Sequence, residues 1–225
     1  MEFKDADKLL DPAPQPLEMG IQRLPSGVLC VAARTHMLHC TGRMFEWWFR
    51  FAPDDQQYVW WHPSDHVSSK WWETSPDTHI GSTHEAVERI GGDEALRLFI
   101  AFHDPSEAFS PNAYTTAVEQ GNISAAICAR TGTGDRPPRD EQGRLRNGRI
   151  AHVARDADYG CVLRSRFWLG EGLGASPEQL HKMIPDHVGL GLMKHAYSEF
   201  FYLSRFLSSL YIAEQRDHQH VLAPW

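Results

Sequence analysis

From Val188 to Gln215 the chain reads VGLGLMKHAYSEFFYLSRFLSSLYIAEQ, without a proline. No other segment limits the fold as much. Its apolar residues recur at helical spacing, which predicts one helix of about six or seven turns. A helix with so dense an apolar stripe has to be covered along most of its length. The cover must come from the earlier chain, which reads as short strands. Strands first and a long terminal helix last predict an α+β fold. The economical packing is a curved antiparallel sheet that grips the helix and leaves a cavity between them.

The local signals fit that plan. EMGIQRLPSGVLCVAARTHML predicts two strands around a turn at Pro25-Ser26-Gly27. TGRMFEWWFRF predicts a short helix with Thr41 as N-cap. From Ser82 onward the chain reads as strands: THEAVERIGG, EALRLFIAFHDP, GNISAAICART, then a hairpin in RIAHVARDADYGCVLRSRFWLG turning between Asp156 and Gly160. TGTGDRPPRDEQGRLRNG predicts a mobile Gly/Arg-rich loop. Ser176, Pro177 and Gln179 mark a helix start at N-cap, N1 and N3. Residues 1–16, ending in PAPQP, are expected to form a flexible arm, and residues 17–225 a single domain. The arm is compatible with a homodimer.

Bulk properties exclude several classes. A net charge of -7 argues against a nucleic-acid footprint. No apolar run is long enough to span a membrane. MEFKDADKLL lacks the apolar core of a signal peptide. Cys30, Cys40, Cys128 and Cys161 form no CxxC pair and fit reduced thiols, hence a cytoplasmic setting.

The chemistry gathers in two places. On the long helix, His195 and Glu199 lie four residues apart and so share a face, which Tyr202 and Phe206 continue. YVWWHPSDHVSSKWW, from Tyr58 to Trp72, is crowded with four tryptophans, two histidines and an aspartate. His62 and His66 compete there as ligands, and Asp65 could orient a neighbouring imidazole. THEAVE adds acids. Two histidines with two carboxylates suit one zinc ion with an open water position, and iron or manganese fit as well. The plainer reading of His195 and Glu199 is a hydrogen-bonded pair, and of the tryptophans, core packing. A cavity of this kind also suits a carrier of aromatic or lipid ligands with no chemistry. Stoichiometric metal in the purified protein separates the two.

FEWWFRF, YVWWHPSDH, THEAVERIGG, HVARDADYGCVLRSRFWLG and KHAYSEFFYLSRFLSSLY follow one another in order. Together they resemble the 2,4-diacetylphloroglucinol hydrolase family, which includes phloretin-hydrolase-type enzymes, from about Glu18 to Tyr211. The resemblance implies a helix-grip fold, similar to Bet v 1 and START-type domains. It implies one zinc per chain, held by His66, Glu88, His195 and Glu199, with Glu85 and Glu94 as alternatives to Glu88. It also implies hydrolysis of the carbon–carbon bond between an acyl group and a phenolic ring, a retro-Claisen cleavage. His152 and Tyr58 are the implied catalytic residues. Together with Phe167 and Tyr202 they are expected to contact a small aromatic substrate. A tyrosine of the acylphloroglucinol enzyme corresponds to Phe167, so the chain lacks that hydroxyl.

Overall fold

The computed structural model describes residues 1–92 and 94–215. Eight strands form one antiparallel sheet: β1 (Gly20–Arg23), β2 (Leu29–Leu38), β3 (His66–Trp72), β4 (Thr83–Glu88), β5 (Leu96–His103), β6 (Ala125–Thr133), β7 (Gly148–Ala157) and β8 (Gly160–Leu169). Their order across the sheet is β1-β2-β8-β7-β6-β5-β4-β3. After β2 the chain leaves for the far edge through α1 (Gly42–Phe51) and α2 (Asp55–Trp61), then returns strand by strand until β8 pairs with β2. α3 (Pro111–Glu119) lies between β5 and β6. After β8 come α4 (Pro177–Met183), α5 (Asp186–Ser204) and α6 (Leu207–Gln215). α5 packs on β1, β2 and α2, so the sheet grips it as expected.

The expected caps form. Thr41 Oγ1 accepts from the Met44 N–H at the start of α1. Ser176 and Gln179 make a reciprocal capping box at α4, and Asp54 and Gln57 make another at α2. α3 is an addition to the reading, which assigned no element between the strand ending at Asp104-Pro105 and GNISAAICART. Its weak amphipathic pattern, with Thr115 and Thr116 mid-segment, hid it.

The central strands β2, β6, β7 and β8 are buried on both faces, which is why they alternate poorly in sequence. Val31, Ile127, Ile150, Leu163 and Phe167 join the inner core with α1 and α5. Cys30, Cys128, Ala151, Val153 and Trp168 join a second core on the outer face. The expected arm supplies part of that outer layer. Residues Phe3–Leu10 form a 3-10 helix whose Ala6, Leu9 and Leu10 are buried. Phe3 meets Trp168 edge-on, and the Trp168 Nε1–H donates to the Met1 carbonyl. Farther along, Arg164 donates to the Asp11 and Ala13 carbonyls and to Glu18. The segment is therefore packed, because its apolar residues cover an apolar sheet face. The Gly/Arg-rich loop is also tied down: Arg139 and Leu145 form a bridge, and Leu145 is buried.

The long helix is interrupted. α5 ends at Ser204, and the Arg205 and Phe206 N–H groups bond to the carbonyls of Tyr202 and Leu203, tightening the turn before α6. Phe206 then packs edge-on to Trp48 and Trp60. The glycines of VGLGL also have a structural use. A Cβ on Gly191 would lie 2.7 Å from Gly91 Cα in the β4–β5 connection. Backbone meets backbone there, so α5 sits tight against that connection. Gly191→Ala is expected to lower stability by about 1–3 kcal/mol. A thermal melt with an unchanged midpoint would contradict this close approach.

Candidate metal centre and cavity

A cavity of about 520 Å³ lies between the sheet and α5. Its walls are mainly apolar, from Phe49, Phe102, Ile127, Ile150, Phe167 and Phe200. Polar side chains, among them His84, Arg149 and His152, interrupt this surface, a composition suited to a flat aromatic ligand with oxygen substituents. Glu88, His195 and Glu199 reach its surface.

Two pairs of side chains meet there, and each is built by a different periodicity. His66 opens β3 and Glu88 closes β4, and the two are direct cross-strand partners. A register shift between His66 and Ser68 marks a bulge beside this pair. His195 and Glu199 are one turn apart on α5, both buried. His66 Nε2 lies 3.9 Å from Glu88 Oε1 and 3.7 Å from Glu199 Oε2. His195 Nε2 lies 3.4 Å from Glu88 Oε2 and 3.8 Å from Glu199 Oε2. Four N and O ligands about 2.1 Å from one tetrahedral ion are separated by about 3.4 Å. His66, Glu88 and His195 offer ligand atoms that all lie within 4.8 Å of one another, and Glu199 Oε2 approaches both imidazoles, so the cluster is close to the spread of a coordination shell.

Hydrogen bonds aim both imidazoles. His66 Nδ1 pairs with the Tyr58 carbonyl at 2.9 Å, so its Nδ1–H donates and Nε2 keeps its lone pair. That Nε2 is fully buried without a hydrogen-bond partner among the described residues. His195 Nδ1 pairs with Asp65 Oδ2 at 2.9 Å, which turns its Nε2 toward the same point. The orphaned nitrogen and the converging donor set fit a divalent cation.

The groups of the cluster shift one another's proton affinity. Burial pushes His66 down to about 2, and the neighbouring His195 adds to that push. Burial raises the Glu199 carboxyl to about 8, reinforced by the charges of Glu88 and Asp65. His195 moves the other way: burial opposes its charge, but the Asp65 hydrogen bond and the Glu88 and Glu199 charges hold it at about 9. These opposed shifts share one source, imidazoles and carboxyls buried within 4 Å of one another. A dication held there would offset the carboxylate charge and take the imidazole lone pairs.

The structure sorts the other candidates. His62 sits beside the cluster, stacked on His195 at 4.9 Å, with Nε2 bonded to Ser198 Oγ. Glu85 points to the other face of β4 and pairs with Arg97. Glu94 lines the cavity, away from the four-residue cluster. His152 and Phe167 line the cavity as expected. Tyr58 does not. It is fully buried behind Glu88, its hydroxyl donates to Glu88 Oε1, and its ring lies flat on His66. Tyr202 is also outside the lining and packs edge-on to His62, because the apolar stripe of α5 faces the sheet through Ala196, Phe200 and Leu203 instead. His84 was missed. It lines the cavity from β4, and its position four residues before Glu88, on the same strand face, was the available signal.

Comparison with known proteins follows the same lines. Residues 1–212 match the family model described as "DAPG hydrolase PhiG domain". A 2,4-diacetylphloroglucinol hydrolase of Pseudomonas protegens is 26% identical over 93% of this chain and 72% of its own. A phloretin hydrolase of Eubacterium ramulus is 28% identical over 85% of this chain and 70% of its own. Among solved structures, protein Ms6760 of Mycobacterium smegmatis aligns at 13% identity with a TM-score of 0.45, over 85% of this chain and 95% of that one.

Proposed function

Because the chain belongs to the DAPG hydrolase PhiG-domain family, we propose that it is a metal-dependent hydrolase of acylphloroglucinol-type phenols, cleaving the bond between the acyl carbon and the ring. The observation that carries the reading is the His66–Glu88–His195–Glu199 cluster at the wall of an apolar, aromatic-lined cavity. The relatives bearing hydrolase names act on 2,4-diacetylphloroglucinol and phloretin, both acylated phenols.

The four residues would hold the cation, and zinc suits the two-imidazole, two-carboxylate set. A cation so held supplies Lewis acidity and lowers the pKa of bound water. Asp65 orients His195, and the Tyr58 carbonyl orients His66. The Tyr58 hydroxyl holds Glu88 in place. Burial and the Glu88 charge and hydrogen bond push the Tyr58 phenol well above its ordinary range, so it stays a neutral donor.

Phe49, Phe167 and Phe200 surround His152 and would seat the phenol ring. Burial lowers His152 to about 3, so it meets the ligand as a neutral imidazole. It would hold a ligand oxygen by a hydrogen bond and so fix the ring while the proton that replaces the acyl group on the ring carbon comes from the added water. The net reaction adds water across the bond. The acyl carbon gains hydroxyl and leaves as a carboxylic acid; the ring carbon gains hydrogen and leaves as the deacylated phenol.

The direct test incubates the purified protein with monoacylated and diacylated phloroglucinols and measures free carboxylic acid together with metal content. Acid release with about one metal per chain is the expected result. A protein with neither is a carrier. Phe167→Tyr adds a hydroxyl to the wall beside His152 and is expected to favour more hydroxylated acyl phenols about 10-fold in kcat/KM. Unchanged relative kcat/KM across the panel would remove Phe167 from substrate selection.

A further inference from the structure

We propose that His84 is a second ligand-recognition residue of the cavity, accepting a hydrogen bond from a ligand hydroxyl, opposite in polarity to His152, which donates one to a ligand oxygen. This rests on reading the cavity as an acyl-phenol site, and it adds a requirement: the ligand must keep a free hydroxyl where it meets β4.

The polarity of each ring follows from hydrogen-bond bookkeeping around a serine. Ser69 Oγ has three partners: the Pro53 carbonyl at 3.2 Å, Trp71 Nε1 at 3.1 Å and His84 Nε2 at 2.9 Å. A carbonyl only accepts and an indole N–H only donates. The single Ser69 proton therefore goes to Pro53, and the two oxygen lone pairs take N–H donors from Trp71 and His84. His84 must carry its proton on Nε2, which leaves Nδ1 as an acceptor. That Nδ1 has no hydrogen-bond partner among the described residues, and the ring it belongs to lines the cavity.

His152 presents the opposite edge. Its Nδ1 lies 2.8 Å from Ser165 Oγ, and that buried hydroxyl has no other partner among the described residues. An unmade bond from a buried hydroxyl costs about 1–3 kcal/mol, so the Ser165 proton is donated to Nδ1. The remaining His152 proton then sits on Nε2, the nitrogen without a partner among the described residues, on a ring that lines the cavity. Both rings share one tautomer, yet they face the ligand with opposite roles because each serine holds a different nitrogen. Both are neutral: burial lowers His84, like His152, to about 3. Stacking of His84 on Trp71, with ring centres 4.4 Å apart, fixes its plane. A ligand with every hydroxyl methylated could satisfy His152 and would leave His84 unpaired.

Two measurements on the intact protein test this. Long-range ¹H–¹⁵N NMR, assigned by the peaks lost in His84→Phe and His152→Phe, should show both histidines as neutral Nε2–H tautomers near pH 7. A proton on Nδ1 of either ring overturns the proposal. Calorimetry with two probes that cannot be hydrolysed, 1,3,5-trihydroxybenzene and 1,3,5-trimethoxybenzene, reads the polarity directly. His84→Phe keeps the stack on Trp71 and should weaken the trihydroxy probe at least ~10-fold without weakening the trimethoxy probe. Equal effects on both probes, or no binding of the trihydroxy probe to the unmodified protein, overturn it. Ser69→Ala provides a second variant: it should mix the His84 tautomers and reduce the preference for the hydroxylated probe, and an unchanged preference counts against the lock. Acid release from acylated phenols is measured separately. Hydrolysis with binding indifferent to His84 defeats this inference alone. Hydroxyl-dependent binding without hydrolysis defeats the catalytic reading alone.

Discussion

His195→Ala and Glu199→Ala are each expected to strip the metal and lower hydrolysis of an acylated phloroglucinol by at least ~10³-fold, the equivalent of about 4 kcal/mol of transition-state stabilisation. Both side chains sit at the cavity wall, so truncation enlarges a space that already exists rather than opening a new void in the core. The folds should therefore survive, with circular dichroism spectra like that of the unmodified protein. Thermal stability has a more specific expectation. A ligand that binds only the folded state raises stability, so each variant should melt like the chelator-treated unmodified protein and not respond to added zinc. Metal analysis beside steady-state kinetics makes the test. Full metal content in either variant would show that the cluster is not the metal site.

Asp65→Ala is expected to weaken metal binding by about 10–100-fold while leaving all four ligands in place. Asp65 meets the four-residue cluster by hydrogen bonding to His195: its Oδ2 accepts from Nδ1–H and so keeps Nε2 turned toward Glu88 and Glu199. Without that acceptor the ring loses both its orientation and part of its basicity. Activity should fall at limiting zinc and recover at excess zinc, a rescue that the ligand variants will not show. Asp65→Asn, which keeps a carbonyl oxygen at nearly the same place, should fall between. Competition with a chelator of known affinity measures the change, and an affinity indistinguishable from the unmodified protein would reduce Asp65 to a surface acceptor.

Why some of this site was legible and some was not comes down to the range of the interactions involved. His195 and Glu199 could be paired from spacing alone, because helical geometry is local and puts i and i+4 on one face. Asp65 could be suggested as an orienting group because of its neighbours in the chain. His62 and His66 could not be separated that way. The choice depends on β3 pairing with β4 so that His66 stands opposite Glu88, and register is a property of two strands. Strand parity does divide Glu85 from Glu88, and it would have brought in His84, but only once THEAVE is known to have one face inward. The partner of Tyr58 was likewise out of reach of local signals: its hydroxyl donates to Glu88 Oε1, thirty residues away in the chain.

The amino-acid sequence by itself determined the elements whose causes lie within a turn or two of chain: the capped helices, the tight hairpin, the strand-rich body and the helix face that carries an imidazole and a carboxylate. Only the tertiary structure decided that a cross-strand pair and a helix pair meet within 4 Å, that the N-terminal segment covers the outer sheet face, and that the long helix breaks at Arg205. Propensity and periodicity act through near neighbours in the chain. Convergence on one point, by contrast, requires distant segments to bury each other, and the energy of that burial is written in no single segment.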